Sequence, residues 1–182
     1  MPKPLMCEPQ LFEKDLRGRV YIVTGANSGA GLATATQLAS QGAHVVAACR
    51  RVDAGREAFA DMGPVSGSVE VMELDLGSLT SVRRFVQAFA AKSDRLDGLV
   101  NNAGIMAVPE GRTEDGFETQ FGVNYLGHFL LTELLLDTLK ASAPSRVACV
   151  SSVMHTGARN GPVPDIHLDD LDWEQREYDR NQ

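Results

Sequence analysis

Residues 20–31 read Val-Tyr-Ile-Val-Thr-Gly-Ala-Asn-Ser-Gly-Ala-Gly, an apolar run followed at once by a turn that contains three glycines. We predict a strand over 19–24, and its run of apolar residues on both faces favours a central position in a parallel sheet. A helix is predicted to begin at Gly29, so that its first N–H groups and those of the turn converge on one point. This stretch therefore predicts a strand, a phosphate-binding turn and a helix in succession.

The rest of the chain alternates apolar runs with helical periodicity. Further strands are predicted over 43–49, 69–74, 96–100 and 146–150, and helices over 29–41, 53–62, from 78 onward and over 117–140. The last helix is expected to divide near 122–124, and its second part, apolar nearly all round, is expected to be buried. Strands and helices that alternate at this spacing predict an α/β fold with parallel pairing and right-handed crossovers.

Length and charge limit the class of protein. A chain of 182 residues suits a single domain over 1–182, with a lead-in at 1–17 and a loop and acidic insert at 153–182. With 17 Lys and Arg against 24 Asp and Glu, the net charge is −7, which argues against a surface for nucleic acid or anionic membranes. No apolar stretch is long enough for a secretory signal or a membrane anchor.

The cysteines and histidines indicate no metal site. Three cysteines at 7, 49 and 149 are far apart, so we expect neither disulfides nor zinc, and a cytoplasmic location. Cys49 and Cys149 lie in apolar strands and are expected to be packed thiols. The four histidines share no ligand spacing, and the acidic residues of 165–174 are read as a solvated loop.

The glycines and the residues at the end of the second strand indicate a site that binds a dinucleotide. Gly25 would allow the tight turn, Gly29 would let the backbone approach a pyrophosphate, and Gly31 would permit close packing of helix on strand. An NAD site would place an acidic residue where Arg50 and Arg51 stand, about 20 residues past the glycines. Two guanidinium groups would instead pair with a 2′-phosphate, which favours NADP (NADPH) over NAD.

Several short motifs follow in a characteristic order: Thr-Gly-x-x-x-Gly-x-Gly at 24–31, Asp75 after the third strand, Asn-Asn-Ala-Gly at 101–104, Asn124 in a helix, and Ser151-Ser152 after the fifth strand. In this order they resemble the short-chain dehydrogenase/reductase family. The sequences at 122–129 and 169–174 are most similar to its retinol dehydrogenase and protochlorophyllide reductase branch. The resemblance implies a Rossmann-type doubly wound sheet with strand order 3-2-1-4-5.

The resemblance also implies roles for individual residues. The residues of the glycine turn would bind the phosphates: Gly25, Asn27, Ser28, Gly29 and Gly31. Arg50 and Arg51 would bind the adenosine phosphate, and Asp75 and Leu76 would flank the adenine. The ribose would lie along Asn102, Ala103 and Gly104. The catalytic residues present would be Asn124, whose backbone holds the water of a proton relay, and Ser152, which binds the substrate oxygen. The implied substrate is a small carbonyl or alcohol compound.

The family's Tyr-x-x-x-Lys motif, which transfers the proton, does not occur in this sequence. Tyr178, 26 residues after Ser152, resembles the tyrosine that precedes that motif in the branch. We therefore expect an N-terminal portion of a longer enzyme, inactive alone and lacking the last strands of the sheet. A non-catalytic NADP-binding regulatory protein is the alternative, and a methyltransferase is a weaker one. Substrate identity and oligomeric state, including a homo-oligomer, stay open.

Overall fold

The computed structural model describes residues 8–153 and 165–180. These residues form a parallel sheet of five strands in the order β3-β2-β1-β4-β5, flanked by helices. The predicted α/β class and strand order are confirmed. Because β1 lies at the centre, with β2 and β4 on its two sides, the strand order changes direction between β1 and β4.

The elements follow the predicted alternation closely. In chain order they are β1 (Val20–Thr24), α1 (Gly29–Ser40), β2 (His44–Cys49), α2 (Val52–Ala60), β3 (Ser68–Glu73), α3 (Leu79–Ala90), β4 (Gly98–Asn101), α4 (Thr119–Phe121), α5 (Gly127–Ala141) and β5 (Arg146–Cys149). A 3₁₀ turn at Pro9–Glu13 precedes the sheet. Predicted and observed boundaries differ by one or two residues, which is the usual uncertainty at helix and strand ends.

Alternate residues of the central strands enter two separate cores. Ile22 and Val46 pack with the apolar faces of α3 and α5, whereas Val23 and Val45 pack with alanines of α1 on the other face. This alternation is what a pleated strand buried on both sides requires. Leu16 joins the second core, so the described part of the lead-in is anchored to the sheet.

The helix predicted over 117–140 divides where expected, but its second part is only half buried. A π-helical turn, Gly122–Leu126, separates α4 from α5, and the N–H of Gly127 donates to the carbonyl of Gly122. In α5 the leucines at 131, 135 and 139 are buried, whereas Phe129 is 55% exposed. The prediction of full burial was wrong because one face of α5 has no partner among the described residues.

The outer edge of the sheet is open in the described chain. All four residues of β5 are exposed, including Cys149, so the prediction of a packed thiol there was wrong. Cys49 is buried as predicted, and burial raises the pKa of its thiol.

Among the described residues, no helix is both long and apolar enough to cross a lipid bilayer.

Candidate functional site

A cleft of about 310 Å³ opens at the carboxyl ends of β1, β2, β3 and β4. Ligands of open α/β sheets bind at this edge, beside the strand where the chain order reverses. The cleft, called here the glycine-turn cleft, is lined by most of the predicted cofactor residues: Gly25, Asn27, Ser28, Gly31, Arg50, Asp75, Leu76, Asn102, Ala103 and Gly104. The structure thus brings together residues that are up to 79 positions apart in the sequence.

The glycine turn lies close to α1 because glycines, which have no side chain, stand at the contact between them. Gly25 has a φ of +63°, a conformation that glycine adopts without strain. A Cβ on Gly31 would lie 2.4 Å from the Gly25 carbonyl oxygen and 2.5 Å from Asn102 Nδ2. Gly31 therefore permits the close approach of α1 to the turn and to Asn102, rather than to the strand as predicted.

The first turn of α1 presents free backbone donors to the cleft. Ser28 is the residue before the helix, and its side chain makes no capping hydrogen bond. Gly29 has a φ of +54°, and no atom of the described residues outside its chain neighbours and its own helix backbone lies within 4 Å of the position that a Cβ would take. Gly29 is not among the lining residues, but it begins α1. N–H groups at an uncapped helix start suit an anion such as a phosphate.

The two arginines after β2 occupy different places. Arg50 is exposed and lines the cleft, whereas Arg51 is the residue before α2, and its carbonyl accepts from the Gly55 N–H. Within residues 8–153 and 165–180, neither guanidinium group has a hydrogen-bond or ion-pair partner. Arg50 is therefore an unpaired cation beside the cleft, and Arg51 does not line it.

The Thr24 hydroxyl joins the ends of β1 and β4. It accepts hydrogen bonds from the N–H groups of Asn102 and Ala103, both at 2.9 Å, and the Asn102 side chain donates to the Thr24 carbonyl at 2.8 Å. The Asn102 amide is thus engaged in holding the turn together, while its backbone and those of Ala103 and Gly104 form the wall of the cleft.

Residues that directly follow β3 form another wall of the cleft. The Asp75 carboxylate accepts from the Gly77 N–H at 2.9 Å and thereby shapes its own turn, and the Asp75 N–H donates to Ser81 Oγ. Leu76 is buried, and its carbonyl lies so near Gly127 that a Cβ there would be 2.4 Å away. Both residues therefore have a structural role as well as a position at the cleft.

A second cavity of about 580 Å³ shares Asn102, Ala103 and Gly104 with the glycine-turn cleft. Its other lining residues include both predicted catalytic residues, Asn124 and Ser152. We call it the Ser152 cavity. Exposed aromatic and aliphatic side chains form much of the rest of its wall: Tyr125, Phe129 and Val150. It therefore combines a hydroxyl group with an apolar surface, next to the cleft.

The Asn124 side chain does not point freely into this cavity, because it holds the loop after β4. Its Oδ1 accepts from the Ile105 N–H at 2.9 Å, and its Nδ2 donates to the Ile105 carbonyl at 2.8 Å. The Asn124 backbone carbonyl lies 2.9 Å from His128 Nδ1, and His128 Nε2 lies 2.8 Å from Thr24 Oγ1. Sequence reasoning missed His128, although its position four residues after Asn124 in a helix was a usable signal.

The acidic residues of 165–174 are mostly solvated, as predicted, since Asp165, Asp169 and Glu174 are exposed, but the prediction was wrong for Asp170. Asp170 is only 7% exposed and pairs with Arg176, whose guanidinium lies 4.0 Å above the ring of Trp173. Burial alone would raise the pKa of Asp170, but hydrogen bonds from Arg176 and two backbone N–H groups lower it. The carboxylate therefore organises the insert.

Tyr178 fastens the insert to α4 and to the loop that precedes α4. Its hydroxyl lies 3.0 Å from Gln120 Nε2 and 3.2 Å from the Val108 carbonyl. Gln120 also accepts from the N–H of Ala107, which has a φ of +55°. A side chain in the insert thus reaches the segment that leads from the Asn-Asn-Ala-Gly turn to Asn124.

The sequence matches the family model described as short chain dehydrogenase over residues 19–162. It is 47% identical to human retinol dehydrogenase 13 over 163 residues, which cover 88% of this chain and 47% of that protein. It is 49% identical to human retinol dehydrogenase 14, covering 88% of this chain and 50% of that protein. The chain thus spans about half the length of the curated relatives it matches.

This chain is also similar to solved structures, both in sequence and in fold. An uncharacterised protein from Mycobacterium paratuberculosis is 46% identical and superposes with a TM-score of 0.73, covering 91% of this chain and 55% of that one. The RhlG/NADP active-site complex of Pseudomonas aeruginosa is 31% identical with a TM-score of 0.70, covering 82% and 60%.

Proposed function

Because this chain belongs to the short-chain dehydrogenase family, we propose that its residues form the cofactor-binding region of an NADP(H)-dependent oxidoreductase. The reaction is hydride transfer between the nicotinamide ring and an alcohol or carbonyl substrate. The observation that carries the proposal is the glycine-turn cleft itself, where an uncapped helix start, a turn with three glycines and an arginine without a partner in the described part of the chain come together.

The residues at the cleft fit a dinucleotide diphosphate. Gly25 and the N–H groups at Ser28 and Gly29 would hold the phosphates, because backbone donors at an uncapped helix start attract an anion. Asp75 and Leu76 would border the adenine, and the backbone at 102–104 would lie along the ribose next to the nicotinamide. When bound, the cofactor supplies or accepts the hydride.

Arg50 is the reason for proposing NADP rather than NAD. Its guanidinium has no partner among the described residues and lies at the end of β2, where the adenosine ribose binds in folds of this kind. An arginine forms bidentate hydrogen bonds with phosphate oxygens, which a ribose hydroxyl cannot match. The relative in complex with NADP is consistent with this choice. Arg51 would contribute charge from outside the cleft.

Ser152 and Asn124 would act on the substrate side. The Ser152 hydroxyl would donate a hydrogen bond to the substrate oxygen and stabilise the negative charge that develops there during hydride transfer. The Asn124 carbonyl would hold a water molecule of the proton relay. The tyrosine and lysine that complete this chemistry in the family are absent from the sequence, so we propose that these 182 residues bind the cofactor without turnover.

The substrate class follows from the wall of the Ser152 cavity. Tyr125, Phe129 and Val150 offer an apolar surface beside the hydroxyl, which suits an alcohol or aldehyde with a hydrophobic body. The relatives are named for retinol, a compound of this kind. A non-catalytic regulatory role has no support of this sort. The cytoplasmic location, the single domain and the oligomeric state stay predictions.

A binding titration with charge-reversal variants tests the cofactor proposal. We expect Arg50→Glu to weaken NADPH binding at least tenfold and NADH binding less than threefold, because only NADPH carries the extra phosphate. Arg84→Glu on the exposed face of α3 makes the same change in net charge away from the cleft and serves as the control. Equal losses for both cofactors with Arg50→Glu would refute the assignment to NADP.

A further inference from the structure

His128 is a buried histidine with a partner on each ring nitrogen. It lies in the first turn of α5 and is only 7% exposed. Its Nδ1 is 2.9 Å from the backbone carbonyl of Asn124, and its Nε2 is 2.8 Å from the Thr24 hydroxyl. The ring therefore connects the π-helical turn with the end of β1.

The partners determine which nitrogen carries the proton. A carbonyl oxygen can only accept a hydrogen bond, so Nδ1 must donate to Asn124. In a neutral ring Nε2 is then an acceptor, and Thr24 must donate its hydroxyl proton to it. Burial lowers the pKa of His128, although the hydrogen bond to Asn124 opposes that effect, and the neutral form is therefore the one to expect.

The Thr24 hydroxyl leads to the same conclusion from the other side. It already accepts from the N–H groups of Asn102 and Ala103, which use both oxygen lone pairs. A charged imidazolium would bring a third donor to an oxygen that has no lone pair left. The alternative acceptor for the hydroxyl proton, the Val100 carbonyl, is farther away at 3.4 Å.

We infer that His128 is a positioning residue, held in its neutral form with the proton on Nδ1, that fixes the Asn124 carbonyl and the Asn102-Ala103 turn relative to each other. The hydrogen bond from Nδ1 fixes the Asn124 carbonyl at 2.9 Å from the ring. One ring thereby links the wall of the glycine-turn cleft to the backbone atom proposed to serve in proton transfer. The cofactor-binding part of this inference rests on the proposed function.

The first experiment needs no cofactor and no variant. Long-range proton–nitrogen correlation spectra of the purified chain at neutral pH identify the tautomer of each histidine. We expect the proton of His128 on Nδ1. A ring with its proton mainly on Nε2 would overturn the inference, because that ring cannot donate to Asn124.

The second experiment compares two substitutions at one position. His128→Phe preserves a ring but removes both hydrogen bonds, whereas the amide of His128→Gln can both donate and accept. We expect amide exchange at Asn102 and Ala103 to be about tenfold faster in His128→Phe and NADPH binding about tenfold weaker. His128→Gln should restore both to within about threefold of the original chain, and His44→Phe should change neither.

The outcomes separate this inference from the proposed function. If the original chain does not bind NADPH, the proposed function fails, while the tautomer and the amide exchange still decide the role of His128. Unchanged exchange in His128→Phe, or equal losses in His128→Phe and His128→Gln, would overturn the inference. If His128→Phe does not fold, the tautomer and the behaviour of His128→Gln carry the decision.

Discussion

Replacing Gly31 by alanine should test how much the cleft depends on the close approach of α1 to the glycine turn. The new methyl carbon would lie 2.4 Å from the Gly25 carbonyl oxygen and 2.5 Å from Asn102 Nδ2. Neither neighbour can yield easily, because the first is backbone and the second is bonded to the Thr24 carbonyl at 2.8 Å. The helix must therefore move away from the turn.

The magnitude follows from two opposing terms. Overpacking of a well-packed site costs about 1–3 kcal/mol, and alanine in a helix gains up to about 1 kcal/mol over glycine. Because both contacts fall well below 3.0 Å, we take the upper end of the first range and expect a net loss of about 2 kcal/mol in the free energy of unfolding. NADPH binding should weaken at least tenfold, since the turn and the helix start are displaced together.

Urea unfolding and an NADPH titration measure the two effects. Gly104→Ala is the matched control for stability, because its methyl group would meet Asn124 Oδ1 at an ordinary 3.6 Å. We expect that control to unfold within about 0.5 kcal/mol of the original chain. An unfolding midpoint for Gly31→Ala equal to that of Gly104→Ala would show that the turn has room for a side chain, and the reasoning would fail.

Two further predictions concern stability. Asp97 is 2% exposed at its side chain; burial alone would raise its pKa, but hydrogen bonds from Arg95, Arg19 and the Val20 N–H hold it at about 2, below the usual 3.8. Because the folded pKa is the lower one, the carboxylate stabilises the fold by roughly 2 kcal/mol above pH 4, and this contribution disappears as the pH falls towards 2. Urea unfolding should show Asp97→Asn less stable at pH 7, by a margin that narrows between pH 4 and pH 2. A margin that stays constant with pH would contradict the assignment. Tyr178→Phe removes the hydroxyl contacts with Gln120 and Val108, which costs about 1 kcal/mol, so trypsin should cleave at Arg176 several times faster than in the control Tyr125→Phe; equal cleavage rates would show that Tyr178 does not fasten the insert.

Local sequence patterns predicted most of the fold. The apolar runs, the periodicity of α3 and the glycine turn depend on neighbours within a few residues, and each appeared within one or two residues of its expected place. The break at 122–124 was also predictable, and it takes the form of a π-helical turn. The strand order came from resemblance, because pairing partners are not encoded in the local pattern.

Most of the errors have one cause, which is that burial and pairing depend on residues far away in the sequence. Nothing within α5 shows that Phe129 lies on an open face. Asp170 is the exception, because its partners Glu174 and Arg176 lie within six residues and that local signal was missed. His128 has one partner four residues away and another 104 residues away, so only half of its environment was visible in the sequence. Arg50 and Arg51 are adjacent in sequence, and only the position of the start of α2 shows that Arg50 lines the cleft and Arg51 does not.

The attachment of the acidic insert has a consequence for how such proteins diversify. Tyr178 reaches Gln120, which holds Ala107, and the same segment continues through the π-helical turn to Asn124. A substitution in the insert can therefore shift the loop beside the Ser152 cavity without altering any residue that lines it. Chains of this family that differ in the insert would then differ in the shape of this cavity, while the residues that line it and those of the glycine-turn cleft stay the same.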